Sequence, residues 1–119
     1  MTARVDTFEL APGYRISRLV HGGWQTQGLD REAALRSLHD HADAGITAFE
    51  TSDSYPGGEK LLGRFRRERP GEAIRIHTRY SPGADDPPPA GEDIAAAVDR
   101  SLEKLGTAQI DLLQLQWWR

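Results

Sequence analysis

Ile46 to Gly63 read ITAFETSDSYPGGEKLLG. An apolar, β-leaning piece ends there on a carboxylate, Glu50, a polar turn carries Tyr55, and a helix opens after Gly57 and Gly58. Strand, polar loop and helix start, in that order, is where α/β folds place their chemistry. A charge that ends a buried strand is costly unless something pairs with it. Arg79 ends the next β-like segment in the same way and is the expected partner of Glu50.

Upstream of this stretch, Asp30 is a good N-cap for a helix over Arg31 to Ala44, with Glu32 in its first turn and Gly45 just past its end. Ala34, Leu35, Leu38 and Ala42 recur at helical spacing, so one stripe faces a core. His39, Asp40, His41 and Asp43 invite a metal reading. Side chains two apart on a helix leave in different directions, however, so His39 and His41 cannot share one ion; they are expected to face solvent, and no metal site is expected. Before this helix, Arg18 to Gly23 reads as a strand running into His21-Gly22-Gly23-Trp24-Gln25. The glycines permit something flat to lie against the loop, and an ordinary strand exit explains them equally well. Thr7 to Ile16, with Ala11-Pro12-Gly13 at its centre, suits a hairpin.

Downstream, Glu59 to Glu68 forms a second helix with Leu61, Leu62 and Phe65 on its apolar side, closed by Pro70-Gly71. The basic run RFRRER, Arg64 to Arg69, reads as its solvated face because acidic residues are interleaved. Ala73 to Tyr80 is a third strand in which Ile74, Ile76 and Thr78 alternate with Arg75, His77 and Arg79; His77 is expected to be a satisfied interior group. Ser81 to Gly91 is too rich in proline and aspartate for a sheet. A third helix over Asp93 to Leu105 and a fourth strand over Gln109 to Trp118 complete the chain.

The order is a hairpin (7–16) followed by βαβαβαβ (18–118) in a single domain, and alternation of this kind means parallel strands joined by right-handed crossovers. HGGWQTQG lacks a usable G-x-G-x-x-G, so nothing favours a dinucleotide-binding open sheet. Trp24 and Gln25, Glu50 and Tyr55, Arg79, and Gln116 each follow or end a different strand. In a (β/α)₈ barrel those ends meet on one rim, where the active site sits. The fold expected is therefore α/β, the N-terminal half of a (β/α)₈ TIM barrel.

Composition bounds the function classes. The 119 residues are 38% hydrophobic and 28% charged, with a net charge of −3 and a pI near 5.8, which gives no reason to expect nucleic acid or an anionic membrane. Cysteine is absent, so there is no thiolate nucleophile and no disulfide framework. No apolar run approaches the ~18 residues of a membrane helix, and MTARVDTFEL has no signal-like apolar core. A cytoplasmic location is expected.

The chain resembles the aldo-keto reductases. The likeness is carried by the hairpin and Gly-Gly-Trp, by D-A-G-I at Asp43 to Ile46, by F-E-T-S-D-S-Y with G-x-E-K-x-L-G after it, by I-H-T-R at Ile76 to Arg79, and by S-L-x-x-L-G followed by I-D-L-L-Q-L. The resemblance implies an NADP(H)-dependent reductase of small-molecule carbonyl compounds, of whose barrel this chain matches the first half. Tyr55 falls on the family's acid. Glu50 falls on its aspartate, Arg79 on its lysine and Gln116 on its histidine, three departures from the pattern. In the family's logic a cation eases proton transfer at the tyrosine, a carboxylate holds the cation, and the last residue orients the carbonyl oxygen. Glu50 and Arg79 keep the charges but are expected to lock to each other and to serve Tyr55 less well. Gln116 donates a hydrogen bond but does not titrate. Gly23, Trp24 and Gln25 are the residues left to touch a nicotinamide.

Most groups that grip the cofactor's phosphates in this family come from later strands, so NADP(H) binding and reduction are expected to be impaired. The alternatives are a cofactor-independent acid–base enzyme (isomerase, dehydratase or cyclase) using Tyr55, Glu50 and Arg79, and a non-catalytic scaffold. Four parallel strands left open expose two edges and one face. Self-association about a twofold axis into a homodimer that completes the barrel is the first expectation, ahead of a partner chain or a poorly folding fragment.

Overall fold

In the computed structural model, which describes residues 4–117, β1 (Thr7–Ala11) and β2 (Tyr14–Ser17) pair antiparallel as a separate hairpin. β3 (Val20–Gly22), β4 (Ala48–Glu50), β5 (Arg75–Tyr80) and β6 (Leu112–Leu115) make a parallel sheet in that spatial order. The crossovers carry α1 (Arg31–Asp43), α2 (Gly58–Arg67) and α3 (Gly91–Leu105). Each strand neighbours the next in sequence, with no reversal of order. A doubly wound sheet reverses at its switch point, and a barrel wall does not.

The pleat sorts the sheet into two faces. Phe49 of β4 and Ile76 of β5 enter the core with Leu38 of α1, Phe65 of α2 and Leu105 of α3, all essentially inaccessible to solvent. Phe49 and Phe65 meet edge to face, with ring centroids 4.7 Å apart, an arrangement that adds to the area they bury. Glu50, His77 and Arg79 alternate with these core residues and take the opposite face, the inner wall of a barrel.

Helix starts follow local chemistry. The Asp30 carboxylate caps α1 by accepting the Ala33 N–H at 3.0 Å. α3 begins at Gly91 rather than Asp93, because Asp93 folds back to accept the Ala90 N–H at 2.8 Å and so sits inside the first turn. Strands are shorter than the apolar runs suggest. β4 does not begin until Ala48, since Thr47 and Ser17 exchange hydrogen bonds, Ser17 N to Thr47 Oγ1 at 2.8 Å and Thr47 N to Ser17 Oγ at 3.0 Å. β6 is confined to Leu112–Leu115, because the Asp111 carboxylate, not a backbone carbonyl, takes the Ile76 N–H at 2.8 Å; Trp118 lies outside the described residues.

The basic run on α2 is more than a solvated face. Arg64 reaches Glu32 of α1 at 2.8 Å and Glu68 at 2.9 Å, Arg69 reaches Asp43 at 2.8 Å, and Arg67 donates to the Leu105 carbonyl at 3.1 Å. The interleaved acids are present as expected, but the arginines span to neighbouring helices. His39 likewise lies between Glu68 (3.0 Å) and Arg69 (3.2 Å), its ring edge-on to Phe65, instead of facing solvent alone. Among the described residues no helix is long and apolar enough to cross a membrane.

α2 and α3 touch where Gly63 faces Leu105, and a Cβ at Gly63 would drive into the Leu105 carbonyl oxygen. That oxygen belongs to backbone at a helix end and cannot move aside cheaply. Gly63→Ala is therefore expected to destabilise by about 1–3 kcal/mol, the usual cost of overpacking, measured as a lowered urea midpoint at unchanged m-value.

Candidate active site

The parallel register pairs Gly22 with Glu50 and Glu50 with His77. Arg79, two residues beyond His77, is on the same face one pleat higher, within reach of Glu50. Arg79 Nη2 lies 3.1 Å from Glu50 Oε2, with both side chains about one-fifth exposed. The other oxygen, Oε1, accepts the Gly23 N–H at 3.1 Å. The same Nη2 donates to the Tyr55 hydroxyl, and the guanidinium carbon stands 5.2 Å from the Tyr55 ring centroid. The pair therefore does not lock Arg79 away from the tyrosine: one nitrogen serves both, because Glu50 presents a single oxygen and gives its other to the backbone.

Tyr55 is delivered by the turn after β4, in which Tyr55 N–H donates to the Ser52 carbonyl at 3.1 Å and Gly58 N–H to the Tyr55 carbonyl at 3.0 Å. Its ring tilts against Trp24 at 5.4 Å, and Trp24 is 67% exposed. Gly23 has a structural cause. A Cβ there would lie 2.6 Å from the Glu50 carbonyl oxygen, so β3 and the β4 exit approach too closely for any side chain. With its N–H committed to Glu50, Gly23 has no donor left for a cofactor. Gln25, in the 3-10 turn Trp24–Gly28, faces a different cleft between β3 and α1. Of the three residues expected to touch a nicotinamide, Trp24 alone is placed beside Tyr55.

Gln116 reaches the same rim without joining the triad formed by Tyr55, Arg79 and Glu50. Its backbone N–H pairs with Tyr80 O at 2.9 Å, and its amide oxygen accepts from Ser81 Oγ at 3.2 Å. Ser81 also hydrogen-bonds Asp53 and Ser52. Ser54, Ser81, Gln116 and Trp117 line a cleft of about 220 Å³. A second cleft, of about 230 Å³, opens beside Tyr55 between Asp53, Lys60 and Lys104.

Two features escape sequence reading. Glu59, in the first turn of α2, is 2% exposed and accepts the Thr78 hydroxyl at 2.7 Å, tying α2 to β5 just before Arg79. Beneath the triad, His77 Nε2 meets the Tyr14 hydroxyl of the hairpin at 2.8 Å. Burial, aided by the Asp111 carboxylate and opposed by Arg75, pushes the Tyr14 phenol up to about 12. Burial also holds the His77 imidazole below its ordinary value against the pull of Asp111 and Glu50. His77 is thus the satisfied interior group its position suggests. His21 is lowered by burial and then by His41, whose ring lies edge-on at 4.5 Å; His41 itself is exposed, as its helix position suggests. Among the described residues no three His, Asp or Glu side chains are placed to hold a metal.

A family model for the aldo/keto reductase family matches residues 18–119. The chain belongs to that family. A thermostable aldo-keto reductase, Tm1743, superposes with a TM-score of 0.80 at 24% identity, over 96% of this chain and 43% of its own. The Bacillus halodurans aldo-keto reductase AKR11C1 does so with 0.76 at 26%, over 94% and 40%. A Klebsiella pneumoniae aldo-keto reductase in complex with NADPH gives 0.77 at 20%, over 98% and 41%. No curated protein matches by sequence. The chain spans about two-fifths of the length of these solved aldo-keto reductases, and its four-stranded parallel sheet is part of their TIM-barrel architecture.

Removing one partner of the Glu50–Arg79 pair leaves the other charge poorly solvated. Glu50→Ala in this aldo/keto reductase chain is expected to lower stability, by less than the ~3–5 kcal/mol of a fully buried pair because water still reaches both groups; a neutral urea midpoint would contradict the geometry. Stability should also depend on pH. His21 and His77 are harder to protonate folded than unfolded, so the unfolded chain binds more protons as pH falls below about 6.5. Stability is expected to be flat above that value and to decline below it, read from melting temperature across pH 5 to 8.

Proposed function

We propose that Tyr55 is the proton donor in an NADP(H)-dependent reduction of small-molecule carbonyl compounds, with Arg79 and Glu50 as its supporting pair. The observation that carries this reading is the single Arg79 nitrogen shared between the Tyr55 hydroxyl and the Glu50 carboxylate. A proton donor works best when its conjugate base is stabilised by a fixed charge that needs no reorganisation. Arginine stays protonated throughout, so Arg79 stabilises the Tyr55 phenolate once the proton has passed from Oη to the carbonyl oxygen.

The residues present suit the nicotinamide end of the cofactor. Trp24 offers a mostly exposed flat ring beside Tyr55, against which a second planar ring can stack. Trp24 would hold the nicotinamide end of NADPH, and the cofactor, when bound there, would supply the hydride for the reduction. Glu50 keeps Arg79 from swinging into solvent, and the backbone N–H of Gly23 fixes the Glu50 rotamer. With its oxygen held by Ser81, Gln116 presents its NH₂ group as a donor at the rim. The cleft it lines has room for a small substrate, not an extended one.

Two measurements test the proposal. Fluorescence titration with NADPH is expected to show saturable binding that Trp24→Ala weakens. Against a panel of small aldehydes, Tyr55→Phe is expected to lose about 10²–10⁴-fold in rate, the usual worth of general acid catalysis, at little cost in NADPH affinity. Retention of more than about a tenth of the rate excludes Tyr55 as the acid. Absence of NADPH binding, together with Tyr55-dependent turnover of a proton-transfer substrate, would support the cofactor-independent acid–base reading instead.

A further inference from the structure

The inner wall carries a second polar pair directly below the triad. His77 is 7% exposed and is the register partner of Glu50 on the neighbouring strand. Register partners on parallel strands share a face at about 5 Å, so an imidazolium there would compete with Arg79 for the same carboxylate. The groups that face His77 are Tyr14 of β2, Glu50 of β4, Asp111 just before β6, and Arg79 above and Arg75 below it on β5. The Tyr14 hydroxyl and His77 Nε2 lie 2.8 Å apart, and the phenol stays protonated at any physiological pH, so in the tautomer with its proton on Nδ1 the neutral imidazole accepts that hydroxyl at Nε2, an acceptor the imidazolium lacks.

We infer that His77 is a positioning residue for the Tyr55 site: neutral and held by Tyr14, it leaves the Glu50 carboxylate to Arg79, and on protonation it draws Glu50 toward itself and loosens the Arg79 contact with Glu50 and Tyr55. The hairpin thereby acts on the rim chemistry from the opposite end of the sheet. The device makes the site weaken in acid through a group that touches neither substrate nor cofactor. It concerns the same triad as the reductase reading but not hydride transfer, so a chain that failed to bind NADPH would leave it intact.

The test is an NMR titration of the 119-residue chain from pH 8 to pH 4.5. The Arg79 Nε–H is buried without a hydrogen-bond partner and serves as the reporter of the guanidinium environment. Its resonance is expected to shift with the midpoint of the His77 ring signals, and that shift should vanish in His77→Gln, whose amide still accepts from Tyr14. In Glu50→Gln the His77 midpoint should fall by at least about half a unit, because a carboxylate that favours the imidazolium is gone. In Tyr14→Phe, which removes the donor favouring the neutral ring, the His77 and Arg79 midpoints should rise together. An Arg79 signal that stays flat through the His77 titration, or a His77 midpoint indifferent to Glu50→Gln, overturns the inference. If His77→Gln does not fold, the Tyr14→Phe variant decides alone, by whether the two midpoints move in step.

Discussion

The Glu50–Arg79 contact is the constraint on which the site depends. Two charges on neighbouring parallel strands, each about four-fifths removed from water, are tolerable only together. Meeting that condition fixes more than the two side chains. It calls for β4 and β5 in the observed register, for the Gly23 N–H to take the second Glu50 oxygen, and for the Tyr55 turn to close over the guanidinium. Gly23 follows from the same requirement, since any larger residue would push β3 away from the Glu50 carbonyl. The length of the Glu50 and Arg79 side chains lets the pair form across neighbouring strands and brings the guanidinium to the Tyr55 hydroxyl.

That geometry is held from the other face by apolar packing. Phe49 immediately precedes Glu50, and Thr78 immediately precedes Arg79, so each member of the pair is adjacent in sequence to a side chain with no solvent exposure. Phe49 is wedged against Phe65 of α2, and Thr78 is hydrogen-bonded to Glu59 of the same helix. Helix α2 thus grips both strands just before they present their charges, and its own start follows directly on the Tyr55 turn. Packing and chemistry are coupled through the two-residue pleat, with the core on one side of each strand and the rim chemistry on the other.

The inner wall is unusually polar for a small sheet. Arg75, His77 and Arg79 occupy alternate positions of β5, with Glu50, Asp111 and Tyr14 arranged around them. Most of these groups are paired, yet Nε of Arg75 and Nε of Arg79 are buried without partners, and burial depresses the imidazole between them.

The sequence alone determined the order of elements, their parallel connection, the apolar stripes of α1 and α2, the family likeness, and the prediction that Glu50 and Arg79 pair. All of these rest on local periodicity or on a cost that a single buried charge makes unavoidable. It overstated the strand lengths, because apolar runs do not reveal where a side chain such as Asp111 or Thr47 takes over a backbone hydrogen bond. It treated His39 and the arginines of the run 64–69 as solvated, because their partners on other elements lie 26 to 38 residues away and distance along the chain says nothing about distance in space. It grouped Gly23, Trp24 and Gln25 as one surface, whereas the backbone turns between them and leaves only Trp24 beside Tyr55. Which nitrogen of Arg79 serves which oxygen, and that the Tyr14 hydroxyl holds His77 beneath them, were decided by the tertiary structure, since both depend on the relative heights of strands and hairpin once the core has packed.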